Sequence, residues 1–550
     1  MSEKEDLLPK VVDYGTSATA TRPSKLHMQT YTAGEDNNRL AQMAKEFGLQ
    51  QHRQPRRQVR EVVNTPLSSL TQFFHTRVVD PGFAHVRLRQ VYTSHYHPDD
   101  DEEGKELMGR PPRWHEDTAG EDEAHPPPKG GDLTSAVLGI IKGMVGPAIL
   151  YLPHGFAKAG WLFAIPCLIL STFLFLSSSA CLLDAWKLES AKSNHVDNLL
   201  QKTAKRTVLS YPELAHRALG PTGEAFVKIG IAFMQSGVCL TYLIFVPQNL
   251  KTVTYILFGY DIDASYFVIV MLIVEIPMSW IRDIRKLTIT NLLANALILY
   301  GLVACLAFAL STAVESNEGL GPIAELAFRF SKLDAFNSEG WFLFIGTSVL
   351  LFEGTITLLV PLQEAVYRRE DRKQFPVVYQ KVILSIICFY CIFGMCCWVS
   401  FGNDVKTVMT TSLPSGPLAT TVQLAYSTAV IFTFPLQNFP SLEIATRSIA
   451  TLMTNTCGKG STLLQNRNVI ASFLVFLLAL VGIASMDSLD KVVSLMGGLL
   501  GCPLAFIFPP LIHNEIDPNL SEGRKRKNLM IAGLGFCAMI VATITTLARW

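Results

Sequence analysis

Charge is scarce in this chain. Lys, Arg, Asp and Glu make up 17% of its 550 residues and nearly cancel, leaving a net charge of +1. Neutralising a phosphate backbone takes a large positive excess, so no nucleic acid is expected as a partner. The catalytic signatures HExxH and GxSxG and the phosphate-cradling Walker loop are missing, which leaves an enzyme without a motif to rest on. No selectivity-filter repeat speaks for a channel. Of eleven cysteines, ten fall in apolar stretches and none in the first 130 residues, so no disulfide framework is visible. Cys388 and Cys391 form a CxxC, but inside an apolar run, where redox chemistry or zinc ligation is not expected. No apolar run stands near Met1, so no cleavable signal peptide is expected.

What the chain has instead is apolar length. Hydrophobic residues make up 49%, and from residue 131 onward they gather into runs long enough to cross a bilayer, for which about 20 residues suffice. Residues 1 to 130 are a different material, rich in Arg, Gln, His, Pro and acids, with runs such as Gln51–Arg60, Asp99–Glu103 and Pro126–Pro128. That composition buries too little apolar surface to offset ordering entropy, and a disordered tail is expected. His95, His97 and Asp99–Asp101 are read as a solvated acidic linker rather than a metal site.

Apolar spans are expected near 133–153, 161–186, 224–247, 264–281, 288–311, 340–362, 380–401, 417–438, 469–486, 489–512 and 529–548, about eleven transmembrane helices in all. The connections after even-numbered spans carry most of the Lys and Arg, for example Arg282, Arg285, Lys286, Arg368, Arg369 and Arg372. The positive-inside bias then puts the N-terminal tail in the cytosol.

Two spans are damaged as helices at mid-depth. In DLTSAVLGIIKGMVGPAILYLPHGFAKAGW (132–161), Lys142 brings a charge, Gly143 and Gly146 loosen the backbone, and Pro147 removes a donor. In GWFLFIGTSVLLFEGTITLLVP (340–361), Glu353 and Gly354 interrupt the run. Broken helix survives in a bilayer only where its freed N–H and C=O groups face protein or a watery cavity. The breaks fall in the first and sixth spans. Five helices is an odd number, so two five-helix units have opposite orientations. Paired breaks in inverted units point to the substrate site of a secondary transporter.

The chain resembles the amino acid/auxin permease family, and is most similar to its proton-assisted lysosomal and fungal vacuolar amino acid transporters. The resemblance rests on IKGMVGPAILYLP (141–153), SYPELAHRALG (210–220), IPMSWIRDIRKL (276–287), FEGTITLLVPLQEA (352–365), FTFPLQNFPSLEI (432–444) and LDKVVSLMGGLLGCPLAFIFPPLIH (489–513). It implies an all-α polytopic membrane protein with a LeuT-like core of 5+5 inverted repeats plus one helix, moving amino acids by alternating access without a cofactor. A vacuolar or lysosomal membrane is then favoured over the plasma membrane.

The substrate site is expected at Gly143, Gly146, Pro147 and Ala148 of the first break and Phe352, Glu353 and Gly354 of the second. Pro147 stands where many relatives carry a small hydroxyl residue or Gly, so one backbone donor for an α-carboxylate is missing. Sodium-coupled relatives tend to carry Asn at the position of Lys142; a fixed ammonium takes the place and charge that Na⁺ needs, which favours the proton as coupling ion. Glu353 is the expected carrier, because a carboxyl group in a dry span takes a proton rather than bear an unpaired charge; pairing with Lys142 is the structural alternative. Thr428 and Thr433 of the eighth span are the expected facing hydroxyls, while Glu275, just before Pro277, is read as structural. In the tail, Glu3, Leu7 and Leu8 fit an acidic dileucine signal of the kind a sorting adaptor reads. Two alternatives stay open: an amino-acid sensor that signals through its tail, and a sodium-coupled permease.

Overall fold

In a computed structural model of the chain, residues 133–199, 209–281, 288–314, 322–366, 368–457 and 466–550 are described. The tail, and with it Glu3, Leu7, Leu8, His95 and His97, lies outside them. Among the described residues the architecture is all helix, without a strand. The first expected span splits into α1 (Leu133–Met144), a 3-10 turn (Pro147–Tyr151) and α2 (Leu152–Ala159). Next come α3 (Trp161–Leu199), α4 (Tyr211–Phe258), α5 (Ala264–Ser279), α6 (Thr288–Val314) and α7 (Pro322–Ser331). The sixth span splits into α8 (Trp341–Leu350), the single turn α9 (Glu353–Ile356) and α10 (Leu359–Ala365). Then follow α11 (Arg369–Phe401), α12 (Pro417–Cys457), α13 (Arg467–Ala484), α14 (Leu489–Leu495), two π-helical turns (Met496–Gly501 and Pro503–Ile507), α15 (Phe508–Ile516) and α16 (Glu522–Ala548).

Eight of these helical segments are long and apolar enough to cross a membrane, or nine if the bent pair around residue 145 is one span, among the described residues. Each of the eleven expected spans finds a helix, but two miss that standard. The apolar α5 is only 16 residues long. The apolar run of α12 is diluted by Gln423, Ser427, Gln437 and Asn438.

Burial sorts the spans by position. The broken span Trp341–Ala365 has 78% of its apolar window inside the protein, against 33% for Arg467–Ala484 and 28% for Glu522–Ala548. The broken sixth span is therefore central, and α13 and α16 are peripheral. Large apolar side chains such as Phe173, Phe233, Ile273 and Phe473 are exposed, as a surface that faces lipid requires rather than water.

Helix starts follow local chemistry. Ser210 caps α4 by accepting a bond from the Glu213 N–H at 3.1 Å, the capping arrangement that the SYPE word encodes. Gly220, at φ 73°, breaks α4 just before Pro221 and separates an amphipathic lead-in from the crossing segment. At the end of α2, Gly160 takes φ 78°. A Cβ there would sit 2.4 Å from the Ala335 carbonyl oxygen, so the segment before α8 closes directly over this turn.

Candidate functional site

The first break begins where the sequence removes helix-forming capacity. Val145 N–H still reaches the Ile141 oxygen at 2.8 Å, but Gly146 is extended and Pro147 opens the 3-10 turn. Pro is tolerated there because a first-turn N–H would have no intrahelical partner. The two halves meet at a bend of 40°. One carbonyl freed by the break, that of Met144, accepts from the Tyr390 hydroxyl at 2.6 Å.

The second break lies at Leu351–Phe352. The Phe352 ring is fully buried and stacks on Phe175 of α3, with centroids 4.3 Å apart and planes 17° from parallel. Phe352 does not line the cavity described below, so it is not brought together with the other residues expected at the substrate. Glu353 then starts the single turn α9, and Thr355 Oγ1 donates back to the Phe352 oxygen at 2.9 Å.

The two breaks touch, glycine on glycine. A Cβ on Gly354 would lie 1.6 Å from the Gly143 carbonyl oxygen, and one on Gly143 would lie 3.0 Å from the Gly354 oxygen. A second bare crossing holds the sixth span on its other side: a Cβ on Gly346 would meet the Ser494 oxygen at 1.9 Å, and one on Gly497 the Gly346 oxygen at 1.9 Å. The π-helical turns at residues 496–507 begin at that contact, and such turns gather at functional sites.

Around the glycine crossing is a cavity of about 230 Å³. One water needs roughly 10–15 Å³ by the same measure, so the space admits a small solute. Lys142, Gly143, Gly146, Pro147 and Ala148 line it from the first span, and Glu353, Gly354 and Thr357 from the sixth. Gln235, Thr241 and Tyr242 of α4, Asn291 and Asn295 of α6, and Thr433 and Gln437 of α12 complete its polar wall. Val238, Ile298, Leu350 and Leu436 supply apolar surface between them.

Glu353 anchors a polar junction of three spans. Its Oε1 accepts from Gln235 Nε2 at 2.9 Å and from Gln437 Nε2 at 2.8 Å. The Gln437 amide also donates to Gln235 Oε1. The second carboxyl oxygen takes no hydrogen bond among the described residues. Lys142 shares the cavity, yet no carboxylate pairs with it among the described residues. The expected alternative of a Lys142–Glu353 pair is therefore not formed here, and the cavity holds one basic and one acidic side chain on opposite broken helices.

Thr433 faces the cavity, but Thr428 does not and is only half-buried. The two are five positions apart, about 140° around a helix of 3.6 residues per turn, so they cannot share a wall. Gln437, four positions after Thr433, takes the place next to it. Glu275 is fully buried away from the cavity, with both carboxyl oxygens lacking a hydrogen bond among the described residues. No group of three or more His, Cys, Asp or Glu is placed to hold a metal among the described residues. Cys388 and Cys391 are free thiols.

Gln235, Gln437, Asn291 and Asn295 line the cavity although no motif marks them in the sequence. Their signal was an amide in an apolar span, which in a membrane usually faces a bundle interior or cavity.

A family described as "Transmembrane amino acid transporter protein" matches residues 129–548. Vacuolar amino acid transporter 3 of Saccharomyces cerevisiae is 28% identical over 430 residues, 77% of this chain and 57% of that one. Vacuolar amino acid transporter 4 of the same yeast is 28% identical over 411 residues, covering 70% and 53%. Amino acid transporter ANT1 of Arabidopsis thaliana is 27% identical over 437 residues, covering 76% and 93%. The chain thus spans little more than half the length of the two yeast proteins. Among solved structures, the inward-facing conformation of Mhp1 superposes over 78% of this chain and 94% of that one, at 13% identity and a TM-score of 0.41, too loosely to carry an argument.

Proposed function

Because this chain belongs to the family of transmembrane amino acid transporter proteins, a family of transporters and not of enzymes, we propose that it carries amino acids across a membrane by alternating access, driven by protons. The observation that carries this reading is the cavity at the crossing of two broken helices, with an ammonium and a carboxyl group facing it from either side. An amino acid zwitterion needs that pair of charges. Lys142 and the N–H group of Ala148 suit its carboxylate. Glu353, and the carbonyls freed at the breaks, suit its ammonium. Pro147 cannot donate, so Lys142 takes a larger share of carboxylate recognition than it would beside an intact cradle.

The same geometry favours the proton over Na⁺. The Lys142 ammonium already supplies the positive charge at the break, and a second cation beside it would meet repulsion rather than a vacant ligand set. Glu353 is the proton carrier in this reading. Two amide donors hold its Oε1 and leave the other oxygen to gain and lose a proton. Gln235 and Gln437 tie that event to α4 and α12, so protonation and helix position are linked. The vacuolar yeast relatives support a vacuolar membrane, and the positive-inside bias supports a cytosolic N-terminal tail.

Counterflow of a panel of radiolabelled amino acids into proteoliposomes tests this, with and without an inward proton gradient and with Na⁺ replaced by choline. Exchange that is stimulated by the proton gradient and indifferent to choline is expected. Exchange that requires Na⁺ and ignores pH contradicts the coupling, and no exchange of any amino acid contradicts the substrate class.

A further inference from the structure

Tyr151 lines the large cavity on one side and a second, much smaller pocket on the other. That pocket has a volume of about 10 Å³, roughly the space of a single water. It is walled by Tyr151, His154, Lys158, Thr347, Thr407 and Asp490 among others. The large cavity extends the other way, to Gly139 and Leu362, which touch each other midway along α1 and α10, and to Asn291 in the first turn of α6. The small pocket therefore lies beyond the substrate cavity toward α2, with Tyr151 as the partition.

His154 is fixed there in one tautomer. Its Nδ1 lies 2.7 Å from the Val405 carbonyl oxygen. A carbonyl can only accept, so Nδ1 carries the hydrogen and donates it. Nε2 is left as a bare lone pair, buried and without a hydrogen-bond partner among the described residues. The charged groups that act on the ring are Asp490 of α14 and Lys158, one turn further along α2. From α8 the pocket receives only Leu343 and Thr347, from the 402–412 segment Thr407, and from α14 Val493 beside Asp490. Against α11 the neighbours of α2 are apolar: Phe156 stacks on Trp398, with centroids 6.2 Å apart.

We propose that His154 Nε2 is a proton-binding site at the α2 end of the substrate path, distinct from Glu353, and that its protonation favours opening of the seam between α2, α14 and the 402–412 segment. The proton comes from water at that face, adds to the Nε2 lone pair, and leaves the imidazole with both nitrogens as donors and a charge of +1. In the closed seam Nε2 is buried, and the N–H it gains has no acceptor among the described residues, while Lys158 repels the imidazolium and Asp490 attracts it. A buried charged donor without a partner is costly, whereas an open seam hydrates it. A proton therefore shifts the population toward the open face by its differential stability in the two states. If the N-terminal tail is cytosolic, the α2 end faces the opposite compartment, and acidity there promotes loading from that side.

This inference rests on the transport reading, and the test separates the two. Equilibrium exchange of a radiolabelled mixture of the twenty common amino acids is followed in proteoliposomes of the full chain, at equal internal and external pH from 5 to 8. Each protein is normalised to its own maximum. His154→Asn keeps a donor for the Val405 carbonyl and removes the titratable nitrogen, while Asp490→Asn keeps the imidazole and removes its anionic neighbour. We expect the normalised profile of H154N to lose the limb that His154 contributes, and that of D490N to show a displaced midpoint. An H154N profile that superimposes on the wild type overturns the inference alone. Should H154N not fold, D490N decides: a displaced midpoint supports the site, and an unchanged one overturns it. Absence of exchange by the wild-type protein at every pH overturns the transport reading and this inference with it.

Discussion

Substitution of Gly354 by Ala tests whether the two breaks must touch. The added Cβ would stand 1.6 Å from the Gly143 oxygen, 2.5 Å from its carbonyl carbon and 3.2 Å from its Cα. All three are backbone atoms, so no side chain can rotate away. Restoring even 3.0 Å to the closest contact moves the crossing apart by ~1.4 Å. Overpacking of this kind costs about 1–3 kcal/mol. If that cost falls on the geometry that binds substrate, affinity drops roughly 5- to 150-fold. The mirror substitution is milder. A Cβ on Gly143 meets the Gly354 oxygen at 3.0 Å and the Leu358 methyl at 3.1 Å, which a shift of tenths of an ångström relieves. Gly533 has nothing within 4 Å, and Gly533→Ala in α16 is expected to be neutral or to stabilise by up to ~1 kcal/mol. Amino acid exchange per folded protein, measured beside thermal melting in detergent, gives the order wild type and G533A, then G143A, then G354A. Wild-type exchange by G354A, or equal losses in G143A and G354A, would refute the reasoning.

Three further outcomes are expected. Glu353→Gln cannot release a proton, so a pH gradient is expected to stop driving accumulation; uphill uptake by E353Q at the wild-type level would remove Glu353 as the carrier. Lys142→Asn removes the resident ammonium and is expected to raise the substrate concentration for half-maximal exchange at least tenfold, about 1.4 kcal/mol; a variant with unchanged substrate dependence would show that Lys142 does not meet the carboxylate. Asn519, in an exposed turn before α16, opens the sequon Asn519-Leu520-Ser521 and is expected to carry no glycan, because the positive-inside bias puts that turn in the cytosol; a mass shift on glycosidase treatment of cell-derived protein would reverse the orientation.

The broken spans were legible because the residues that break them have few other uses at membrane depth. Lys142, Gly146 and Pro147 fall within two residues of the observed break, and Glu353 starts the turn after the second one. That Gly143 and Gly354 touch was not legible, since a glycine's small size reads the same in a packing seam as in a hinge. The packing of Phe352 was not legible for a related reason: next to an interruption an aromatic ring suits a cavity wall and a helix contact equally, and its stacking on Phe175 is tertiary information. The separation of Thr428 from Thr433 around α12 follows from helical periodicity alone. Helix ends were poorly marked: α4 runs from Tyr211 to Phe258 whereas its apolar run covers 224–247, because an amphipathic lead-in adds helix without adding apolarity. The amides Gln235 and Gln437 were visible as intramembrane polar residues, but their meeting on Glu353 is tertiary information that spacing along one helix cannot carry.

The central claim is that an amino acid lies at the crossing of the two breaks. It is tested most directly by a cryo-electron microscopy map of the purified full chain with a saturating amino acid chosen from the exchange panel. The account predicts new density in the cavity between Lys142 and Glu353, in contact with the Gly146–Ala148 backbone. Ordered substrate density elsewhere, with this cavity unchanged between the free and the saturated protein, would contradict it.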